Sequence, residues 1–453
     1  MKNLTPQTIA EVTGGEYIGA DSARNTSVVG AVRDNRDVKP GNLFVCIRGA
    51  RVDGHSFANR AFGAGAACCL AEQSIPDAEG PYVLVGSTLE AIKELGAHYR
   101  SLFRIPIIGI TGSVGKTTAK ELVASALGAK FNVLKTPMNL NNELGVPLTL
   151  LSLNEQHQVA VIEMGISDFG EMGRLAQMVR PDIFIMTSIG YSHIEELGDL
   201  DGVLRAKSEA IAYMGPDSVV VVNGDDDLLW GYDPGISKIT FGTGERNDFR
   251  AENIHAEGPD AVTCDIVSGT GRFKARIPAY GSHLAPLAPS AAAVGRLLGM
   301  TDDEVSRGLL AFAPVGGRSN VTDTGKITLI DDCYNANPHS VKAALTSLSA
   351  LPGRRVAILG DMLGLGGLSD DLHIETGAFA AMGGIDSLIC CGDKASLIYE
   401  SYLSAGGSAA YYYPGKTDLI AALAGLIKKG DAVLVKASHA MRFEEILPHL
   451  KKL

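Results

Sequence analysis

A chain of three α/β folding units is what the sequence predicts, on three observations. The length is 453 residues, against roughly 150 residues for a typical domain. Short apolar runs recur between helical stretches, the pattern of parallel strands with crossover helices. That pattern changes near residue 100 and breaks again at Pro314-Val315-Gly316-Gly317. The expected units are therefore a small α+β domain at 1–100, a central domain at 101–314 built on a largely parallel sheet, and a second α/β domain at 315–453.

In the first unit, Leu43 to Ile47 and Tyr82 to Val85 read as strands, set off by turn clusters at Lys39-Pro40-Gly41-Asn42 and Asp53-Gly54-His55. The second opens with IPIIGI from Ile105 and continues with VAVIEMG (159–165), DIFIMTSIG (182–190) and SVVVVNGDD (218–226). Glu245 to Pro278 is more polar and alternates, which predicts added antiparallel strands as an appendage to the same domain. The third repeats the strand–helix alternation in KITLIDD (326–332), VAILGD (356–361), SLICCGD (387–393) and DAVLVKAS (431–438).

Composition narrows the function. With 40 Lys and Arg against 51 Asp and Glu the net charge is -11, which argues against capture of nucleic acid or anionic membrane by bulk attraction. No apolar run reaches the length of a membrane span, and the N-terminus lacks a basic region followed by an apolar one, so a cytoplasmic protein is expected. The seven cysteines contain no C-x-x-C and read as small buried hydrophobes.

The strongest chemical signal is Gly109-Ile110-Thr111-Gly112-Ser113-Val114-Gly115-Lys116-Thr117-Thr118, between a strand and a helix. Backbone N–H groups of such a loop surround phosphate oxygens, a lysine here adds charge on the outer phosphates, and the Thr117 hydroxyl can ligate Mg2+. Ile110 stands where the strict phosphate-loop pattern has glycine, so the match is to T-G-x-x-G-K-T. ATP or another nucleotide is the expected ligand. Around Gly364-Leu365-Gly366 the third glycine of a dinucleotide fingerprint is replaced by Ser369, which excludes NAD there. Glu163 and His193 follow two strands of the central sheet and form a candidate metal rim. Taken alone, Lys207 reads as a solvated helix lysine, and Asn337 before Pro338 as a helix cap.

In this order TGSVGKTT (111–118), NLNNELGVPLTLL (139–151), VIEMG (161–165), TSIGYSHIEELG (187–198), AKSE (206–209), DDCYNANPHSVKAAL (331–345) and LGDMLGLG (359–366) resemble the Mur ligase family of ATP-dependent, peptide-bond-forming enzymes of bacterial cell-wall synthesis. Within it, YNANP with NNELGVP is similar to the member that adds D-alanyl-D-alanine to UDP-N-acetylmuramoyl-tripeptide, and the D-N-P-R motif of the member that adds the third amino acid is absent. The resemblance implies a UDP-binding first domain, a central phosphate-loop ATPase and a Rossmann-like third domain, acting as a monomer. It implies ATP and Mg2+, Thr111 to Thr118 and Asn335 against the nucleotide, and Lys116 as the catalytic loop lysine. Thr117, Glu163, His193 and a carbamylated Lys207 are implied at the metal, with Arg318 and Asp332 reaching ATP from the third domain. Asn35, Arg36, Gly49, Asp53, Gly54 and His55 fall by similarity in the UDP region, and Asn139 and Asn142 in the substrate region. Two segments depart from the family: His283-Leu284-Ala285-Pro286-Leu287 has leucine at both asparagines of H-N-x-x-N, and Ala437-Ser438-His439-Ala440-Met441 lacks the arginine of G-S-R-G-M. A folylpolyglutamate-synthase-like amide ligase, another Mur ligase, and a nucleotide-dependent switch are the competing readings.

Overall fold

A computed structural model describes the chain except for Ala50, Arg51, Val315 and Ser319. The first sheet contains β1 (Glu16–Ile18), β2 (Gly30–Val32), β3 (Asn42–Val45), β4 (Cys68–Ala71) and β5 (Tyr82–Leu84), in the order β1-β5-β4-β3-β2. β1 is antiparallel to β5 and the remaining pairs are parallel. The helix Thr88–Ser101 follows, its N-terminus capped where the Ser87 hydroxyl accepts from Glu90 N at 3.3 Å. It packs on the central helix Gly145–Leu150, and Gly96 permits the approach, since a Cβ there would lie 2.7 Å from the Pro147 ring. Tyr99 is fully buried beside this contact, donating to Leu153 O at 3.0 Å and accepting from Lys2 N at 2.9 Å. One apolar cluster runs from Leu4, Ile9 and Leu43 through Tyr99 to Ile107, Val146 and Val220.

The central sheet contains β6 (Ile107–Thr111), β7 (Val133–Lys135), β8 (Val159–Glu163), β9 (Ile183–Met186), β10 (Val219–Asn223), β11 (Ser237–Gly242), β12 (Phe249–Glu257), β13 (Ala261–Ser268) and β14 (Gly271–Ile277). Their order is β14-β13-β12-β11-β10-β9-β6-β8-β7. β6, β8 and β9 are buried along their whole length, which is why they read as continuous apolar runs. The expected antiparallel strands are present as β12, β13 and β14, each antiparallel to the next, with one correction: β12 joins β11 in parallel, so only β13 runs against the rest of that edge. Asp225 shapes the intervening loop: its carboxylate accepts from Thr243 N, Gly244 N and Asn247 Nδ2 at 2.6 to 2.9 Å, and the chain re-enters the sheet in the same sense.

The third sheet contains β15 (Asn320–Asp323), β16 (Thr328–Asp331), β17 (Arg355–Gly360), β18 (Ser387–Cys391), β19 (Ala410–Tyr413) and β20 (Ala432–Lys436), ordered β15-β16-β20-β17-β18-β19. Only the β15–β16 pair is antiparallel. Separate apolar clusters cover its two faces. Tyr280 of the central unit is part of one of them, beside Ala336, Val341 and Ala344 of the third. All seven cysteines are buried and free. Among the described residues no helix is long and apolar enough to cross a membrane.

Candidate active site

β6 lies between β8 and β9 in the sheet, so the loop leaving its C-terminal end is flanked by Glu163 at the end of β8 and by the 187–193 segment after β9. Ligands of open α/β sheets bind at this edge of the strands. Gly112 has φ +148°, and a Cβ there would fall 2.0 Å from the Thr187 hydroxyl. Gly115, at φ +84°, starts the helix Lys116–Gly128, whose first-turn N–H groups have no partner within the helix. Ser113 N and Val114 N are held by Ser188 at 2.9 Å each, and the Ser113 hydroxyl exchanges hydrogen bonds with Gly190. The loop is thus tied to the segment after β9.

Lys116 Nζ donates to Gly112 O at 2.7 Å. Desolvation holds its pKa below the ordinary lysine value, opposed by the Glu163 carboxylate and reinforced by Arg318 from the third domain. Glu163 is fully buried. Its carboxylate accepts from Thr117 Oγ1 at 2.9 and 3.0 Å and from Asn141 Nδ2 at 2.8 Å, and Lys120 Nζ stands 3.6 Å away. His193 has a left-handed backbone at the start of Ile194–Leu197. Its pKa is lowered by desolvation first and then by Lys116 and Lys207. Lys207, near the end of Leu200–Ser208, is 1% exposed. Burial and the Lys116 charge put its pKa well below the ordinary value, so it is not the solvated lysine that its helix context alone suggests.

The third domain closes the other side of the site. The Arg318 guanidinium lies 4.1 Å from the Tyr334 ring centre. Asp332 Oδ2 is 2.6 Å from Lys436 Nζ, which also donates to Asn335 O at 2.9 Å. Asn337 caps the helix Pro338–Ser349 through a reciprocal bond with Ser340, as its sequence context predicts, and its Nδ2 donates to Ser192 Oγ at 3.0 Å across the domain seam. The space enclosed is a cavity of about 980 Å³ lined by residues 113–118, Glu163, His193, Arg318, Asp332, Asn335 and Lys436. Leu284 and Leu287 form part of its wall, and His439 sits 5.5 Å ring to ring from Tyr334.

The structure therefore brings together the loop, Glu163, His193, Arg318, Asp332 and Asn335, with Asn142 also on the lining. Lys207, Thr111, Gly112 and Asn139 are not on it. Asn142 additionally caps Gly145 N at 2.9 Å. The first-domain candidates are elsewhere. Arg36 is clamped by Asp34, whose carboxyl it holds down to about 2. Gly49 N donates to Val52 O at 3.0 Å. Gly54 is pressed against Ile47, where a Cβ would meet backbone atoms at 2.7 Å. His55 is buried, bonded through Nδ1 to Asp53 at 2.6 Å and accepting from Glu72 N at 2.9 Å through Nε2. Asn35 opens the short helical turn Asn35–Asp37. Sequence reasoning missed Lys120, Asn141 and Lys436. For Lys120 the available signal was a charged side chain inside a helix and for Lys436 one at an apolar strand end, while Asn141, uncharged and in a loop, offered none beyond its neighbours Asn139 and Asn142.

The arrangement defines a three-domain nucleotide-binding protein of the amide-ligase type. Residues 110–295 match the Mur ligase middle domain, residues 317–439 the Mur ligase glutamate ligase domain, and residues 30–100 the Mur ligase family catalytic domain. The chain belongs to the Mur ligase family. It is 35% identical to the UDP-N-acetylmuramoyl-tripeptide–D-alanyl-D-alanine ligase of Bacillus subtilis and 33% to that of Escherichia coli, over 99% and 100% of this chain and 99% of each relative. Crystal structures agree: MurF from Acinetobacter baumannii superposes with a TM-score of 0.88 at 29% identity over 99% of both chains. MurF ligase from Thermotoga maritima in complex with ADP gives 0.82 at 28% identity over 96% of this chain and 98% of that one.

Proposed function

We propose that the protein ligates D-alanyl-D-alanine to UDP-N-acetylmuramoyl-tripeptide, with conversion of ATP to ADP and phosphate, in cytoplasmic peptidoglycan precursor synthesis. The observation that carries this reading is the cavity in which the phosphate loop of the second domain faces Arg318, Asp332 and Asn335 of the third, within a chain similar over its full length to ligases of that name.

The chemistry follows from the need to activate a carboxylate. The γ-phosphoryl group passes from ATP to the tripeptide carboxylate, giving an acyl phosphate and ADP. The dipeptide amine then attacks the acyl carbon, phosphate leaves, and the amine proton is lost to form the amide. Lys116 neutralises charge on the phosphoryl oxygens as they move. Arg318 contributes a second cation from the opposite wall, and the walls of the third domain exclude water that would hydrolyse the acyl phosphate.

The residues present fit Mg2+. Glu163 and the Thr117 hydroxyl are oxygen donors held together next to the loop. That suits a cation that takes one or two protein oxygens and completes its shell with phosphate and water. Mg2+ would supply charge neutralisation at the phosphates. His193 borders the same space. Lys207 is assigned as carbamylated: a buried amine whose pKa is held down by burial and by Lys116 is a suitable nucleophile for CO2, which adds to nitrogen with loss of a proton and leaves an anionic oxygen pair. The first-domain residues Asn35, Arg36, Gly49, Asp53, Gly54 and His55 and the Asn139 and Asn142 loop are assigned to the UDP-linked substrate, and the working form is a monomer.

ADP formation tests the reading. Turnover is expected only with UDP-N-acetylmuramoyl-tripeptide and D-alanyl-D-alanine together, and Lys116→Ala is expected to abolish it in a folded protein. Faster turnover with a single amino acid or a folate substrate would overturn the assignment. Lys207→Ala is expected to lose most activity and to recover part of it with added acetate.

A further inference from the structure

Lys120 has no role in the chemistry above, yet it is fully buried one helical turn beyond Lys116. A buried ammonium needs counter-charge and hydrogen-bond acceptors to be tolerated, and Lys120 has four. Its Nζ lies 2.9 Å from Glu121 Oε1 and 3.6 Å from Glu163 Oε2. It donates to Thr136 O at 2.9 Å and to Met138 O at 3.4 Å. Glu121 in turn pairs with Lys135 at the end of β7, so two lysines and two glutamates form one chain of charges that ends on Glu163.

The loop after β7 is bound to the same glutamate, through its backbone and its carboxylate. Thr136 Oγ1 accepts from Glu163 N at 2.9 Å, and Asn141 Nδ2 donates to Glu163 Oε1 at 2.8 Å. Met138 has a left-handed backbone at φ +45° and a side chain 77% exposed, a conformation unfavourable for this residue type. Its carbonyl, turned to Lys120, accounts for it.

We infer that Lys120 is a positioning residue of the ligase reaction, its ammonium fixing Glu163 toward Thr117 and, through the Thr136 and Met138 carbonyls, holding the 136–142 loop against that carboxylate. The inference rests on the proposed function only for its effect on turnover. With Lys120 in place Glu163 is oriented before Mg2+ arrives, and less ordering is needed on binding.

The test compares wild type, Lys120→Met and Lys120→Arg by calorimetric titration with ADP, without and with Mg2+, alongside melting curves and ligase kinetics. Lys120→Met is expected to bind ADP alone as wild type does and to lose about tenfold of the tightening that Mg2+ gives, close to 1.4 kcal/mol. Its kcat is expected to fall more than its KM for ATP rises, and Lys120→Arg, which keeps the charge, to restore part of both. A folded Lys120→Met protein with wild-type Mg2+ tightening overturns the inference. If Lys120→Met does not fold, Lys120→Gln, which keeps a donor but not the charge, decides: unchanged Mg2+ tightening and unchanged kcat overturn it, and a loss in either upholds it. Wild-type protein that binds Mg2+ and ADP but does not turn over with the two substrates overturns the ligase reading and leaves the binding comparison decisive for Lys120.

Discussion

Replacing Lys207 with Met is expected to stabilise the protein while removing its activity. Lys207 is 1% exposed, and after burial itself the charge that lowers its pKa is the repulsive one of Lys116. Leaving such a group buried costs about 1–3 kcal/mol. Methionine fills a similar volume without a polar atom, so the gain is of that size, and for a unit of this length each kcal/mol is worth about 2–4 °C. The pH dependence has a definite sign. The folded pKa lies well below the unfolded lysine value of about 10.4, so over that interval the unfolded chain binds the extra proton and wild-type stability falls as the pH falls, by at most about 1.4 kcal/mol per pH unit. The advantage of Lys207→Met is therefore larger at pH 7 than at pH 10. Calorimetric melts of both proteins at the two pH values, in buffer free of bicarbonate and nucleotide, measure it, with ADP formation followed in parallel. A variant that melts below wild type at pH 7 would show that the amine has a favourable partner, and a variant that turns over normally would remove Lys207 from the reaction.

Three further outcomes follow from the geometry. Gly112→Ala places a methyl group 2.0 Å from Thr187 Oγ1 at φ +148°, so ADP binding is expected to drop at least tenfold and stability by about 1–3 kcal/mol; titration with ADP and a melting curve check both. Tyr280 has a buried hydroxyl without a partner, and Tyr280→Phe is expected to raise stability by about 1 kcal/mol with unchanged kcat, which a melt and a rate measurement test. His373 is fully buried and neutral, bonded to Met362 N and Ser369 O at 3.0 and 2.6 Å, with its pKa lowered chiefly by burial. The unfolded chain takes up its proton first, so stability is lost as the pH falls below about 6.5, and denaturant titrations should show a shallower loss in His373→Gln.

The parts of the molecule legible in the sequence share a physical cause. β8, β9, β10 and β20 are buried on both faces or nearly so, and a strand in that position is apolar along its length except at an end that borders the site, as at Glu163 and Lys436. β15 and β19 are edge strands, and β15 (NVTD) is largely polar, so nothing in their local pattern separates them from loops. Lys116 and Thr117 were readable because the strand, the glycine loop and the helix that build their site are contiguous in the sequence, and Glu163 because it is a carboxylate closing an apolar strand. Lys120 and Lys436 were not, because the acceptors that justify burying them, Thr136 O and Asp332, lie 16 and 104 residues away in the chain. His55 was readable in the Asp53-Gly54-His55 turn, and only its second contact, with the Glu72 N–H, 17 residues away, waits for the fold.

The apolar cluster shared by the first and second units has a thermodynamic consequence. Residue 100 marks a change of sheet but not a gap in packing, since Tyr99, Ile107 and Val146 belong to the same interior. The third unit has interiors of its own, joined to the rest through Tyr280, the Asn337–Ser192 bond and the link near residue 314. Three sheets thus make two cooperative blocks. On heating, residues 1–314 are expected to lose structure in one step and the C-terminal block in another, which a calorimetric scan would register as two transitions in a chain of three sheets.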